Sequence, residues 1–199
     1  MKFRIELLMS VTAIITAVAA VFVSIAQTEV MSAEAEMERE HQRLSVMPSV
    51  WLETNNSSSI NNDEAPGSFE FIVINHGLGP ASLKYFTIQR DGKYIKNWSE
   101  WLSFVEKDDV DRKGVKGLSF QSLPASYVLP QGTEVQAYTI RAQSKFIRKI
   151  EQSVQDSIYS VCFCSFYNDC WLSKGLNVAP DPIDQCEIDS ENRFVSERN

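Results

Sequence analysis

Leu7 to Ala26 (LLMSVTAIITAVAAVFVSIA) is a run of 20 residues with no charge, proline or glycine. As a helix rising about 1.5 Å per residue it spans roughly 30 Å, the thickness of a bilayer's hydrocarbon core. It is apolar on every side, and such a helix belongs in lipid or at the centre of a large protein. A chain of 199 residues cannot supply the second. The segment is therefore a membrane anchor or a cleaved signal peptide ending at Ser24-Ile25-Ala26. Its length exceeds the usual apolar region of a signal peptide, about 7–15 residues, which favours the anchor. Either way it stands outside the soluble fold.

Lys2 and Arg4 precede the run, and the first basic residue after it is Arg39. Positive charge near a membrane helix stays in the cytoplasm, so the bulk of the chain is expected outside. Arg39 and Arg43 pull weakly the other way. Between Thr28 and Leu44 the composition is helical, and Glu29, Glu34, Glu36, Glu38 and Glu40 outnumber Arg39 and Arg43. Apolar residues there are too sparse for a coiled-coil seam. A solvated helical stalk is expected, repelled by anionic headgroups. The division expected is a cytoplasmic tip and anchor over 1–27, a stalk over 28–46, a folded domain over 47–188 and a flexible tail over 189–199.

The whole chain carries 19 Lys and Arg against 26 Asp and Glu, a net charge of −7. Its pI is about 4.9 and its mean hydropathy −0.19. That balance disfavours a nucleic-acid binder, which needs clustered positive charge, and a polytopic membrane protein. Aromatic residues at 11% argue against disorder.

Beyond Pro48, Val50–Glu53 reads as a short strand and Asn55–Gly67 as a polar loop. Ser68–Ile74 (SFEFIVI) is the strongest strand. It stops at Asn75-His76-Gly77-Leu78-Gly79-Pro80-Ala81, where two glycines and a proline suggest a special backbone path. Leu83–Gln89 follows, with Asp91-Gly92 as a two-residue hairpin signal. Trp98, Trp101, Leu102 and Val105 fall on one face of a short helix. Asp108–Gly117 reads as a charged loop. Further strands are expected at Leu118–Ser122, Tyr127–Leu129, Glu134–Ala142, Ile158–Cys164 and Cys170–Leu172. Ser144 is placed to cap a helix burying Phe146, Ile147, Ile150 and Val154. Strands and helices do not alternate regularly. The expected fold is mainly β: an anchor and stalk, then an antiparallel immunoglobulin-like β-sandwich with two short helices.

The four cysteines, Cys162, Cys164, Cys170 and Cys186, lie in the last 38 residues. In an oxidising compartment an even number suggests disulfides. Cys162 and Cys164 share a strand face, about 6.5–7 Å apart at Cα, a poor span for a bridge. A tight turn puts Cys164 within reach of Cys170, leaving Cys162 for Cys186. Two other readings stay open: buried free thiols, and a thiolate site for a soft metal such as Cu(I). The spacing does not match a zinc ribbon.

The histidines are His41, on the stalk, and His76, in the Gly/Pro loop. No nucleophile motif stands beside His76. The Asn75–Ala81 loop lacks the P-loop ending and precedes a strand. Glu106, Asp108, Asp109 and Asp111 lack calcium-loop spacing. Trp98 and Trp101 are expected in the core rather than on a ligand platform.

Three stretches carry a resemblance: EHQRLSVMPSV (Glu40–Val50), FIVINHGLGPASLKYFTIQRDGK (Phe71–Lys93) and YSVCFCSFYNDCW (Tyr159–Trp171). In order, they resemble a group of uncharacterised bacterial membrane-anchored proteins. That group has an H-x-R-L-S-V-x-P stalk, an N-x-G-x-GPA loop with a DG hairpin, and a late C-S-x-Y-x-x-C-W segment. The resemblance implies a bacterial inner-membrane protein with a small β domain and supplies no activity. Cys162 and Cys186 lie outside its pattern.

Together these readings give an expectation of a single-pass inner-membrane protein with a periplasmic head. It contacts the bilayer through Leu7–Ala26 and binds a protein partner, without catalytic residues, cofactor, metal or nucleic acid. Asn75, Gly77, Gly79 and Pro80 are expected to act structurally. The alternative is a thiol-based redox-sensing or metal-binding domain built on the four cysteines. The anchor is tested by alkaline carbonate extraction of cell membranes: the full chain should remain in the pellet, and a chain starting at Thr28 should move to the supernatant.

Overall fold

The computed structural model describes residues 2–106 and 114–195, with side chains described from residue 9. The charged stretch 107–113, with Asp108, Asp109 and Asp111, lies outside the described residues. The chain divides into two units, Met1–Ser45 and Val46–Asn199.

The first unit is one helix, α1 (Lys2–Ser45), of 44 residues. The apolar run and the stalk are continuous, as expected from a sequence with no Gly or Pro across their junction. Its most apolar window has a mean hydropathy of 2.3 and buries no residue within the protein. It is long and apolar enough to cross a membrane, as anchor or signal sequence.

The second unit runs β1 (Val50–Ser57), β2 (Pro66–Asn75), β3 (Ala81–Arg90), β4 (Lys93–Ile95), α2 (Trp98–Glu106), β5 (Gly117–Phe120) and β6 (Val128–Leu129). It continues with β7 (Glu134–Gln143), α3 (Ser144–Gln155), β8 (Ser157–Cys164), β9 (Cys170–Lys174) and β10 (Asp181–Ile183). One sheet has the order β1-β2-β7-β5; the other has the order β10-β9-β8-β3-β4, with β6 also beside β3. The described pairings are antiparallel. Helix and strand hold 34% and 35% of the whole chain, because α1 alone is so long. The mainly β character belongs to the second unit.

Burial follows the pleat. Phe69, Phe71, Val73 and Asn75 alternate inward on β2. On β7 the inward set shifts from Val135 and Ala137 to Tyr138, Ile140 and Ala142. A register shift at Phe71/Ile72 leaves Ala137 unpaired there, and such a bulge moves the pattern by one residue. β3 does the same at Lys84, between Leu83 and Phe86.

The sheets meet across one core. Phe71 of β2 lies 5.7 Å from Phe86 of β3 and 4.8 Å from Tyr159 of β8, ring centre to ring centre. α2 inserts Trp98 between the sheets, stacked on Tyr138 at 4.7 Å and 6.1 Å from Phe86. α3 covers a second side with Phe146, Ile147, Ile150 and Val154, the face read from the sequence.

Two local expectations change. β1 continues to Ser57, because Asn55 and Asn56 pair with Glu70 and Phe69, and ladder pairing outweighs their weak strand propensity. Ser144 does not cap α3. It is the first helical residue, and its Oγ accepts from Ser59 N at 2.8 Å and donates to the Ala65 carbonyl at 3.0 Å, pinning the 58–65 loop. Asp91 and Gly92 do form the expected hairpin turn, both with positive φ (50° and 73°). Within the tail expected to be flexible over 189–199, Phe194 and Val195 contact the domain. Phe194 N donates to the Phe86 carbonyl, Val195 N to the Lys96 carbonyl, and the Phe194 ring lies 4.9 Å from Trp98. One aromatic side chain in the open edge between the sheets outweighs the polar composition around it.

Phe71 joins both sheets and α2. Phe71→Ala should lower unfolding stability by about 3–5 kcal/mol. Denaturant unfolding of the full chain in detergent, followed by tryptophan fluorescence, measures it.

Candidate functional site

Strand register gathers several loops at one end of the second unit. Val50 pairs with Asn75 and Ile74 with Glu134, which places residues 46–49, 76–80 and 130–133 together. Ser82 pairs with Cys164, which adds the β8–β9 turn, residues 165–169. The first residues of the second unit, 46–49, lie at this end.

Asn75 organises it. The residue is fully buried. Its Oδ1 accepts from Ser49 N at 3.1 Å and Gly77 N at 3.0 Å. Its Nδ2 donates to the carbonyls of Gly79 (2.8 Å), Leu129 (3.1 Å) and Pro130 (3.3 Å). Its backbone pairs with Thr133 and Gly132. Every polar group of a buried side chain must find a partner, and this one does so by tying three chain segments together.

The glycines serve close approach rather than an unusual φ. A Cβ on Gly77 would overlap Ser49 N, and one on Gly79 would overlap the Val46 carbonyl. The 46–49 segment lies directly on this loop, held by His76 N to the Ser49 carbonyl and Leu78 N to the Met47 carbonyl, both 2.8 Å. Pro80 leads into β3. Asn75, Gly77 and Gly79 thus pack against residues 46–49.

The cysteines form a compact group beside this end. Tyr159, Val161 and Phe163 of β8 face the core, so Cys162 and Cys164 face the opposite side of the strand. Cys164 is bridged to Cys170 at the base of the β8–β9 hairpin, and Cys162 to Cys186 on the segment after β10. Cys164 Sγ and Cys186 Sγ, one from each bridge, are 3.7 Å apart. The sulfurs of Cys164, Cys170 and Cys186 lie within 4.8 Å of one another. Bridged sulfurs hold no thiolate for a metal, so the grouping is disulfide chemistry in this state.

The hairpin tip is Ser165-Phe166-Tyr167-Asn168-Asp169. Ser165 is buried, and its Oγ accepts from Tyr167 N (3.1 Å) and Asp169 N (3.3 Å). Ser165 N donates to the Asp169 carbonyl at 2.8 Å and Asn168 N to the Ser165 carbonyl at 3.1 Å. Asn168 takes a left-handed φ of 64°, which asparagine tolerates better than most residues. The bridge closes the base. On this braced turn Phe166 is 67% exposed and Tyr167 50% exposed. Sequence reading took the segment as a turn and missed its aromatics as a surface feature. The available signal was two adjacent aromatics inside a six-residue cysteine spacing.

Other titratable groups are less suited to a site. His76 Nε2 lies 2.9 Å from Glu53 Oε1 on the surface, its ring edge-on to Trp51 at 5.9 Å. His41 is exposed on α1. The Tyr159 phenol is buried, and burial pushes its pKa well above the usual value near 10, so it stays neutral. A groove of about 820 Å³ carries Lys84, Lys96 and Arg193 beside Phe194. Its amines are engaged, Lys84 Nζ with Ser82 Oγ at 3.2 Å and Lys96 Nζ with the Glu191 carbonyl.

Compared with known proteins, the chain matches no family model, no curated protein and no solved structure.

Removing the Asn75 side chain strands buried donors and acceptors, each costing about 1–3 kcal/mol. Asn75→Ala should therefore cost at least about 2 kcal/mol in denaturant unfolding, whereas His76→Ala, which removes an exposed hydrogen bond to Glu53, should cost about 0–1 kcal/mol.

Proposed function

We propose that the protein is a non-enzymatic, membrane-tethered interaction module whose β8–β9 tip docks into a protein partner. The observation that carries this is the exposure of Phe166 and Tyr167 on a turn closed by a disulfide and a buried serine. Exposed aromatics on a fixed backbone supply large contact area with little ordering left to do on binding. Docking of this kind recruits a partner pocket lined by apolar side chains, where aromatic anchors contribute most.

The fold reading is immunoglobulin-like. The order β1-β2-β7-β5 corresponds to strands A-B-E-D, and β9-β8-β3-β4 to G-F-C-C′. The tip is then the F–G loop, a position that variable domains use for recognition. α2 lies in the C′–D connection and α3 in the E–F connection.

The placement reading is a signal anchor in a bacterial inner membrane with the head in the periplasm. Lys2 and Arg4 before the apolar run support it. Two disulfides in the head support the same side, because structural bridges persist in oxidising compartments. The alternative reading, redox sensing through the four cysteines, is favoured over metal binding by the contact between the two bridges.

A photo-crosslinking residue at Phe166 or Tyr167 should capture a discrete protein in intact membranes, and one at Val178 should not. The double variant Phe166→Ser/Tyr167→Ser should abolish capture by a crosslinker at Leu78 while leaving unfolding stability within about 0.5 kcal/mol, as for surface changes generally. Equal labelling from all positions would remove the tip from consideration.

A further inference from the structure

We infer that the two bridges are one exchange-linked redox unit that accepts an electron pair from a thiol reductant and passes through a third bridge, Cys164–Cys186. The inference rests on sulfur contact alone; only its meaning for the tip rests on the docking reading above.

Cys164 Sγ and Cys186 Sγ are 3.7 Å apart, in van der Waals contact, yet each is bonded to a different partner. Cys162 is fully buried, Cys164 is 3% exposed and Cys170 8% exposed. Cys186 is half-buried. Cys186 is thus the most exposed of the four residues, and Cys170 the more exposed end of its own bridge. A thiolate attacks a disulfide sulfur, and access selects which one.

Two routes are open, and they converge. In the first, a reductant thiolate attacks Cys170 Sγ. A mixed disulfide forms, the Cys164–Cys170 bond breaks and the electron pair leaves on Cys164. The Cys164 thiolate then attacks Cys186 Sγ, the bond to Cys162 breaks, and Cys162 takes a proton from water; a second reductant thiol resolves the mixed disulfide, leaving as the reductant's disulfide and freeing Cys170 as a thiol. In the second, the reductant attacks Cys186 Sγ and releases Cys162. A second thiol resolves the mixed disulfide and frees Cys186 as a thiolate. Cys186 then attacks Cys164 Sγ and releases Cys170. In both, two reductant thiols become one disulfide, and the protein gains two thiols, Cys162 and Cys170. The remaining bridge is Cys164–Cys186 whichever bond opens first, because those are the two sulfurs in contact.

The consequence is graded. The two-electron-reduced protein has lost the brace at the base of the hairpin that carries Phe166 and Tyr167. The segment after β10 stays tied to β8, moved by two residues from Cys162 to Cys164. A second electron pair is needed to free that segment.

The test uses the full chain in detergent, titrated with dithiothreitol until half its cysteines are free. It is trapped with N-ethylmaleimide at low pH and cut with chymotrypsin. Cleavage after Phe163 and Tyr167 separates Cys162, Cys164 and Cys170 for mass spectrometry. The expected result is a Cys164–Cys186 linked peptide at least as abundant as either original bridge, with Cys162 and Cys170 both alkylated. Half-reduced protein that retains only Cys162–Cys186 or only Cys164–Cys170 overturns the inference. A second measurement uses air-oxidised Cys170→Ser, in which Cys164 has lost its partner. Recovery of both Cys162–Cys186 and Cys164–Cys186 supports the exchange, and recovery of Cys162–Cys186 alone overturns it. Crosslinking at Phe166 reads the docking proposal separately, so either can fail without the other.

Discussion

The side chain of Asn75 is the point on which the loop-bearing end of the domain depends. Its five hydrogen bonds join the arriving chain at Ser49, the loop at Gly77 and Gly79, and the β6–β7 turn at Leu129 and Pro130. A buried amide in a low-dielectric interior is stabilising only when all its groups are satisfied. That requirement fixes the relative placement of segments drawn from both sheets. It also explains the absence of a Cβ at Gly77 and Gly79: the arriving chain must lie on the loop for Ser49 N to reach Asn75. The polar hub and the bare backbone are parts of one device.

Covalent bonds do comparable work a strand away. β8 presents Tyr159, Val161 and Phe163 to the core and Cys162 and Cys164 to the other side, so it is buried on both faces near its end. The sulfur layer fastens the β9 hairpin and the post-β10 segment to that outer face. Phe194 then settles against Phe86 and Trp98 at the far edge. Cys186 and Phe194 thus tie a segment rich in Asp, Glu and Ser to the domain.

Much of this was legible in residues whose constraint is local. The apolar run, the Asp91-Gly92 turn and the helical faces of Trp98–Val105 and Phe146–Val154 follow from period and propensity. The sulfur pairing was narrowed by the reach of a tight turn. What was not legible depends on distant partners. Asn55 and Asn56 look like loop until Glu70 and Phe69 pair with them. Ser144 looks like a cap until the 58–65 loop occupies its hydroxyl. The bulges at Ala137 and Lys84 leave no composition signal, because they exist only as a mismatch between two strands. The loop at Asn75 was recognisable as structural, but its reason, close approach of residues 46–49, requires the fold.

The exposure of Phe166 and Tyr167 is the feature that local stability does not explain. Ser165, Asn168 and the bridge at Cys164 satisfy the turn without any aromatic side chain. The core is meanwhile complete with Phe71, Phe86, Trp98, Tyr138 and Tyr159. Two rings left in water at a braced position lose apolar burial that an unbraced loop would seek by folding back. The bridge closes the base of the turn that carries them. The inner sulfur of that bond touches Cys186. On the docking and exchange readings proposed above, presentation of the rings and the redox state of the sulfur group are coupled through Cys164.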